Sequence, residues 1–129
     1  MANAVITQAT VLEDSGVVLL ARVRGADGSY ITQASLTSIN VYSYDLNGDT
    51  STPVYSDESV TISAVVFDAL QTSDARWTVD TTGYNVAYTM SATALPLRST
   101  YQVEMVFDPV SGDDFTIAYQ IETLERYSG

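Results

Sequence analysis

Asp45, Asn47 and Asp49 in "DLNGD" have the D-x-N-x-D spacing with which a calcium loop begins. In such a loop, alternate oxygen-bearing side chains converge on one hard cation. The match then fails. Gly48 comes fourth, where the loop needs its glycine sixth, and Ser56 at the twelfth place supplies no bidentate carboxylate. The stretch reads instead as an exposed turn whose Asp and Asn side chains bond to their own backbone. "SGDD", residues 111–114, reads as a hairpin tip for the same reason. No cofactor and no metal-ligand set is read from the chain.

Other chemistry is limited by what is missing. Histidine, cysteine and lysine do not occur. That removes Ser-His-Asp and Cys-His catalysis, imidazole and thiolate metal sites, Schiff-base chemistry and the phosphate-binding P-loop. Paired carboxylates could still do acid–base work. Sixteen acids in 129 residues, however, give pairs by chance. The expectation is a protein that performs no turnover.

The residues left for recognition are arginines and tyrosines. Arg22 and Arg24, two of only five basic side chains, lie just before the Gly-Ala-Asp-Gly turn of "RVRGADGSYITQ". Alternation puts both on one strand face, opposite Ala21 and Val23. They are either a solvated strand end balanced by Asp27 and nearby acids, or a guanidinium pair that meets acids on a neighbouring subunit. The second possibility has a physical motive, since local positive charge offsets repulsion between acidic copies and fixes register. Arg126 would serve in the same way. Tyr42 and Tyr44 share a face with Asn40, opposite Ile39 and Val41. If Ile39 and Val41 face the core, the two tyrosines are surface anchors of a type enriched at protein contacts. The candidate interface residues are therefore Arg22, Arg24, Tyr30, Tyr42 and Tyr44, together with the N-terminal arm. Tyr84, Tyr88, Tyr101 and Tyr119 fall in period with core positions, and Trp77 is also assigned to the core.

The totals narrow the partners. A net charge of −11 repels phosphate and anionic lipid, so neither nucleic acid nor a membrane is expected as a partner. The first residues lack the basic and apolar regions of a secretion signal. No apolar run approaches a membrane span.

These residues must be positioned by strands. Tyr101, Val103, Met105 and Phe107 alternate with polar residues, as do Phe115, Ile117, Tyr119 and Ile121. "DPVSGDD" between them makes a β-hairpin. Further strands are expected at Val17–Val23, Ile39–Tyr44, Val60–Ile62, Arg76–Val79 and Tyr84–Met90. "SAVVFDALQTSDAR", 63–76, has a capping Ser and helical spacing, and is expected to be a short helix or turn. "SATALPLRS", 91–99, is a connection stopped by Pro96. Residues 1–16 form an N-terminal strand or arm, and 17–129 one domain. The fold class is all-β, an antiparallel immunoglobulin-like sandwich of about seven strands with one short helical connection. The run from Ser99-Thr100 into Tyr101 resembles that fold's tyrosine corner.

Three segments carry a further resemblance: "ARVRGADGSYITQASLTSINVYSYDL", "VVFDALQTSDARWTVDTTGYNVAYTM" and "TYQVEMVFDPVSGDDFTIAYQIETL". The chain is similar over 17–124 to small tailed-bacteriophage virion proteins. It resembles the Ig-like modules that begin upper-baseplate proteins, and phage head decoration or cement proteins. The resemblance implies a structural protein without turnover, bound to the major capsid protein or another virion protein, often as a homo-trimer. It implies a place on the virion, with the outer capsid favoured and the tail possible. A full baseplate protein would continue into a coiled coil, whereas this chain stops after the domain, which favours the decoration role. The alternatives are a tail or head–tail connector and, from another class, a carbohydrate- or host-receptor-binding module.

Overall fold

A computed structural model describes residues 3–6, 9–12, 16–96 and 98–124; the side chains of 1–15 and of 92 are outside that description. Nine strands form among these residues: β1 (Asn3–Ile6), β2 (Ala9–Leu12), β3 (Val17–Arg24), β4 (Leu36–Asp45), β5 (Tyr55–Asp57), β6 (Val66–Gln71), β7 (Tyr84–Met90), β8 (Thr100–Pro109) and β9 (Phe115–Leu124). They make a four-stranded sheet, β1-β3-β7-β6, and a five-stranded sheet, β2-β9-β8-β4-β5. This is the immunoglobulin-like order, A-B-E-D against G-F-C, with β5 as the added C′ strand. Seven strands belong to the expected domain, and the N-terminal arm supplies two more. β1 pairs antiparallel with β3, whereas β2 crosses to the other sheet and runs parallel to β9.

Period-2 alternation builds the core. Leu19, Ala21 and Val23 of β3 are buried, as are Ile39 and Val41 of β4, and Tyr101, Val103, Met105 and Phe107 of β8. Val86, Tyr88 and Met90 of β7 join β3 on its sheet, and Ile117, Tyr119 and Ile121 of β9 join β4 and β8 on the other, so the two buried sets face each other. Each strand thus buries alternate residues between the sheets. Without a disulfide, side-chain bonds reach across. Tyr119 Oη donates to the Leu20 carbonyl at 3.0 Å, and Tyr88 Oη donates to Asp57 Oδ2 at 2.9 Å. Burial pushes both hydroxyls above the ordinary phenol range, so both stay protonated as donors. Asn85, 1% exposed, completes the end of β3 with its side chain: its Oδ1 accepts the Val23 N–H at 2.8 Å and its Nδ2 donates to the Val23 carbonyl at 3.0 Å.

The hairpin expected around "DPVSGDD" forms, with Phe107 opposite Phe115 and Tyr101 opposite Ile121. Tyr101 is fully buried. Residues 63–76 differ from expectation. One helical turn, α1 (Ile62–Val65), is followed at once by β6. Val66, Phe67 and Leu70 lie on an edge strand whose register to β7 shifts between Val66 and Gln71. A bulged strand and a helix leave the same short apolar spacing, which explains the misreading. Val60–Ile62 is not a strand, while β5 was not anticipated. Arg76–Val79 is not a strand either. The Asp74 side chain accepts the Arg76 N–H, and Trp77 N–H donates to the Asp74 carbonyl, so the chain turns there instead of extending. The described residues of the 91–99 stretch connect β7 to β8, with a 3-10 turn at Ala92–Ala94.

Candidate functional site

The two sheets treat their outer faces differently. On the four-stranded sheet the 72–83 segment leaves β6 and folds back as a flap. Its Trp77 packs over Leu20 and Tyr84, with Val18, Phe67 and Ala87 at the margin. The Trp77 and Tyr84 ring centres are 5.8 Å apart. Gly83 closes the flap at φ 98°, where an added Cβ would stand 2.3 Å from the Gln71 carbonyl oxygen. Trp77 is therefore buried as expected, but in a second small core outside the sandwich.

Arg22 belongs to this flap. Its Nη1 donates to both Asp80 oxygens at 2.9 Å and to the Gly83 carbonyl at 3.1 Å. Asp80 also accepts Trp77 Nε1–H at 3.0 Å and the Thr82 N–H at 3.0 Å. The indole bond is the largest influence holding the Asp80 carboxyl down at about 2, with Arg22 and the backbone amides of Gly83 and Thr82 assisting. The Arg22 side chain is only 14% exposed. Its charge is satisfied within the chain by an acid 58 residues away, not by Asp27. Asp27 instead accepts the Ser29 N–H of its own turn.

Arg24 has a separate task. Its guanidinium lies 4.2 Å from the Tyr30 ring centre. Nη1 donates to the Gly28 carbonyl, and Nη2 to Tyr30 Oη, both at 2.9 Å. Arg24 and Tyr30 thus brace the 25–29 turn through a cation–π contact and two hydrogen bonds. Among the described residues, the ion pairs are Arg22–Asp80 and Arg76–Asp74, and Arg24 is in neither. Arg126 lies outside the described residues.

Tyr42 and Tyr44 are on the other sheet. Ile39 and Val41 are buried, so the two tyrosines point outward and are half-buried by neighbouring strands. The register sets three central rows: Asn40–Val106–Thr116, Tyr42–Glu104–Ala118 and Tyr44–Gln102–Gln120. Glu104 is the one charge in those rows, and Gln102 Nε2 donates to it at 2.7 Å. Among the described residues, no flap lies over this face. Leu124, at the end of β9 on the same face, is exposed, as is Leu46 just beyond β4. Tyr44, Leu46, Thr50, Ser51, Gln102 and Glu104 line a shallow cleft of about 350 Å³ at its rim. The five candidate residues therefore fall into three places: the flap anchor, the braced turn and the open sheet.

The "DLNGD" stretch is a turn. Asp45 Oδ1 accepts the Asn47 N–H and the Ser99 hydroxyl. Asp49 Oδ1 accepts the N–H and Oγ–H of Ser51, which hold its carboxyl below the ordinary range. No group of three or more acids among the described residues is arranged to hold a metal ion.

Sequence reasoning missed two features. One is the set of flap contacts of Asp80, which no spacing announces. The other is a groove of about 510 Å³ between the 25–36 segment and the β8–β9 hairpin tip. An apolar Val110 between Pro109 and Ser111, inside an otherwise polar turn, was its available signal.

No family model matches the chain, and no curated protein matches it. Among solved structures it is similar to the Ig1 domain of mouse SynCAM 2, at 12% identity and a TM-score of 0.40, covering 95% of this chain and 96% of that one. It is also similar to part of a family 123 glycoside hydrolase from Clostridium perfringens, at 7% identity and a TM-score of 0.43. That match covers 98% of this chain and spans 28% of the hydrolase.

Proposed function

We propose that the protein is a non-enzymatic structural component of a tailed-phage particle: a capsid decoration protein that binds the major capsid protein and stabilises the assembled shell. One observation carries the binding role, the outer face of the five-stranded sheet, over which none of the described segments folds. Strand length and spacing give that face a plan area on the order of 600 Å². A standard protein interface takes about 800 Å² from each partner, so the face and its rim suffice. Its central rows mix tyrosine, amides and small apolar groups around one acid, and tyrosine supplies contact area at low entropic cost. The phage assignment draws on the sequence resemblance over 17–124. A ligand that binds only the assembled shell stabilises it by mass action, and copies grouped as trimers would add avidity.

Purified particles test this directly. Hundreds of copies per particle support decoration of the shell, and a few dozen point to a tail or head–tail connector. Absence from particles refutes both. Ala118→Arg, placed in the centre of the open face, should abolish binding to shells stripped of the protein while leaving the isolated fold unchanged. Full occupancy by that variant would remove the face from the reading.

A second reading has one observation of its own. The rim cleft sets the Tyr44 ring beside Gln102, Glu104, Thr50 and Ser51, an aromatic surface with amide, carboxylate and hydroxyl partners suited to a sugar. Saturable glycan binding by the isolated protein, lost in Tyr44→Ala, would favour this carbohydrate-binding role.

A further inference from the structure

At the end of the sandwich where β8 turns into β9, the 510 Å³ groove has an apolar floor and an acidic rim. Its size is within the roughly 300–1,000 Å³ usual for ligand sites. Ile31 and Leu36 are buried at its base. Phe115 stacks at 5.1 Å on the fully buried Phe107, which fixes the floor. Val110 N–H donates to the Ser35 carbonyl at 2.9 Å and ties the hairpin tip to the opposite wall. Val110 nevertheless stays 67% exposed.

Asp27 and Asp113 line the groove from opposite walls. Asp108 and Asp114 lie outside the groove's lining, and the bond between their carboxyls raises the Asp114 carboxyl above its ordinary range. Neither Asp27 nor Asp113 is in an ion pair with a described residue. Arg24, on the neighbouring strand, has its donors turned to Gly28 and Tyr30.

We propose that this groove binds a cationic segment of a partner protein: one aliphatic side chain seats on Ile31, Leu36, Val110 and Phe115, and an adjacent Lys or Arg reaches Asp113 and Asp27. Charge complementarity selects this occupant. An acidic segment would meet rim acids with no compensating cation, and a free cation would leave the apolar floor wet. The net charge of −11 also steers cations toward the molecule. This site is independent of the open sheet face, and its test uses the isolated chain without particles.

The experiment is an amide-shift titration of the isotope-labelled full chain at low salt. The probes are a capped Leu-Lys-Val-Arg-Leu peptide and its acidic counterpart Leu-Glu-Val-Glu-Leu. The cationic peptide should give saturable shifts at Ile31, Leu36, Val110 and Phe115, and the acidic one none. Val110→Ser should weaken binding about fivefold through lost apolar burial. Asp113→Asn should weaken it about threefold and reduce its salt dependence. Both positions are exposed, so both variants keep the fold. The proposal is overturned by equal binding of the acidic peptide, by shifts centred on Glu104 and Glu122 instead, or by no saturable shift. Concentration-dependent shifts at the same residues without peptide would assign the groove to a second copy and would equally overturn it.

Discussion

Replacing Trp77 by alanine tests whether the flap is a packed layer or a loose loop. Trp77 is 8% exposed and covers Leu20 and Tyr84. A buried tryptophan removes about 200 Å² from water, which at ~25 cal/mol per Å² is about 5 kcal/mol. Pre-existing burial in the unfolded chain lowers that to about 3–4 kcal/mol. For 129 residues the unfolding entropy is about 270 cal/mol/K, so the melting temperature should fall by about 11–15 °C. Far-UV circular dichroism follows the melt of both proteins. Trp77 is also the only tryptophan, so its fluorescence in the parent reports the flap alone. The packed-layer reading requires the fluorescence and circular dichroism transitions to coincide. Flap fluorescence lost well before the sheets melt, or a Trp77→Ala melt within about 2 °C of the parent, refutes the reasoning, because such a shift corresponds to only about 0.5 kcal/mol.

Arg22→Glu should lower the melting temperature of the isolated chain by placing a second acid against Asp80, whereas Arg24→Glu, which releases only the exposed 25–29 turn, should lower it less; equal effects would undo the division of labour between them. Gly83→Ala should cost about 3 kcal/mol or prevent folding, because the new Cβ meets the Gln71 backbone oxygen at a positive φ, and denaturant titration measures it. The folded Asp80 carboxyl is held at about 2, below its ordinary 3.8, so the stability it contributes is present above about pH 4 and is lost as pH falls toward 2. Asp80→Asn should therefore flatten the acid limb of the stability curve over that window. Asp114 has the opposite sign: its raised carboxyl opposes folding once ionised, so Asp114→Asn should stabilise at neutral pH and lose its advantage in acid.

The sandwich was legible because its long strands alternate cleanly. From Tyr101 to Phe107 in β8 and from Phe115 to Ile121 in β9 every second residue is apolar or aromatic, and the turn between them carries Pro, Gly and Asp. The edge strands were harder to read. β5 is three residues long, too short for a period, and β6 has a register shift that leaves a helix-like spacing. Tyr42 and Tyr44 were readable as outward-facing from their parity with Ile39 and Val41. The pairing of Arg22 with Asp80 was not, since it joins residues 58 apart through a flap with no regular period. The sequence offered Asp27 as the nearby counter-charge, and turn chemistry claimed that carboxylate for Ser29. Proximity along the chain was the wrong guide to charge pairing here.

Loop reach explains why one outer face is covered and the other open. The β6–β7 connection, 72–83, has twelve residues. Its contour of about 40 Å permits an excursion of about 20 Å over the sheet and back. The β8–β9 connection, 110–114, has five. Its contour of about 17 Å is consumed in turning the chain, so it cannot fold back over its own sheet. The 46–54 connection is longer, but it delivers β5 to the sheet edge, with Val54 N–H donating to the Ser43 carbonyl at 2.7 Å. Both the open face and the end groove thus follow from short or committed loops on the five-stranded side. Transplanting a Trp-bearing flap of twelve residues into the 110–114 turn would remove the groove's Val110 and Asp113 wall and cover the near part of the open face, out to about the Glu104–Ala118 row. Such a chimera should fold, since the core residues are untouched, and should lose the interactions assigned to the groove and to the Ala118 centre of the face while Arg22, Trp77 and Asp80 remain as they are.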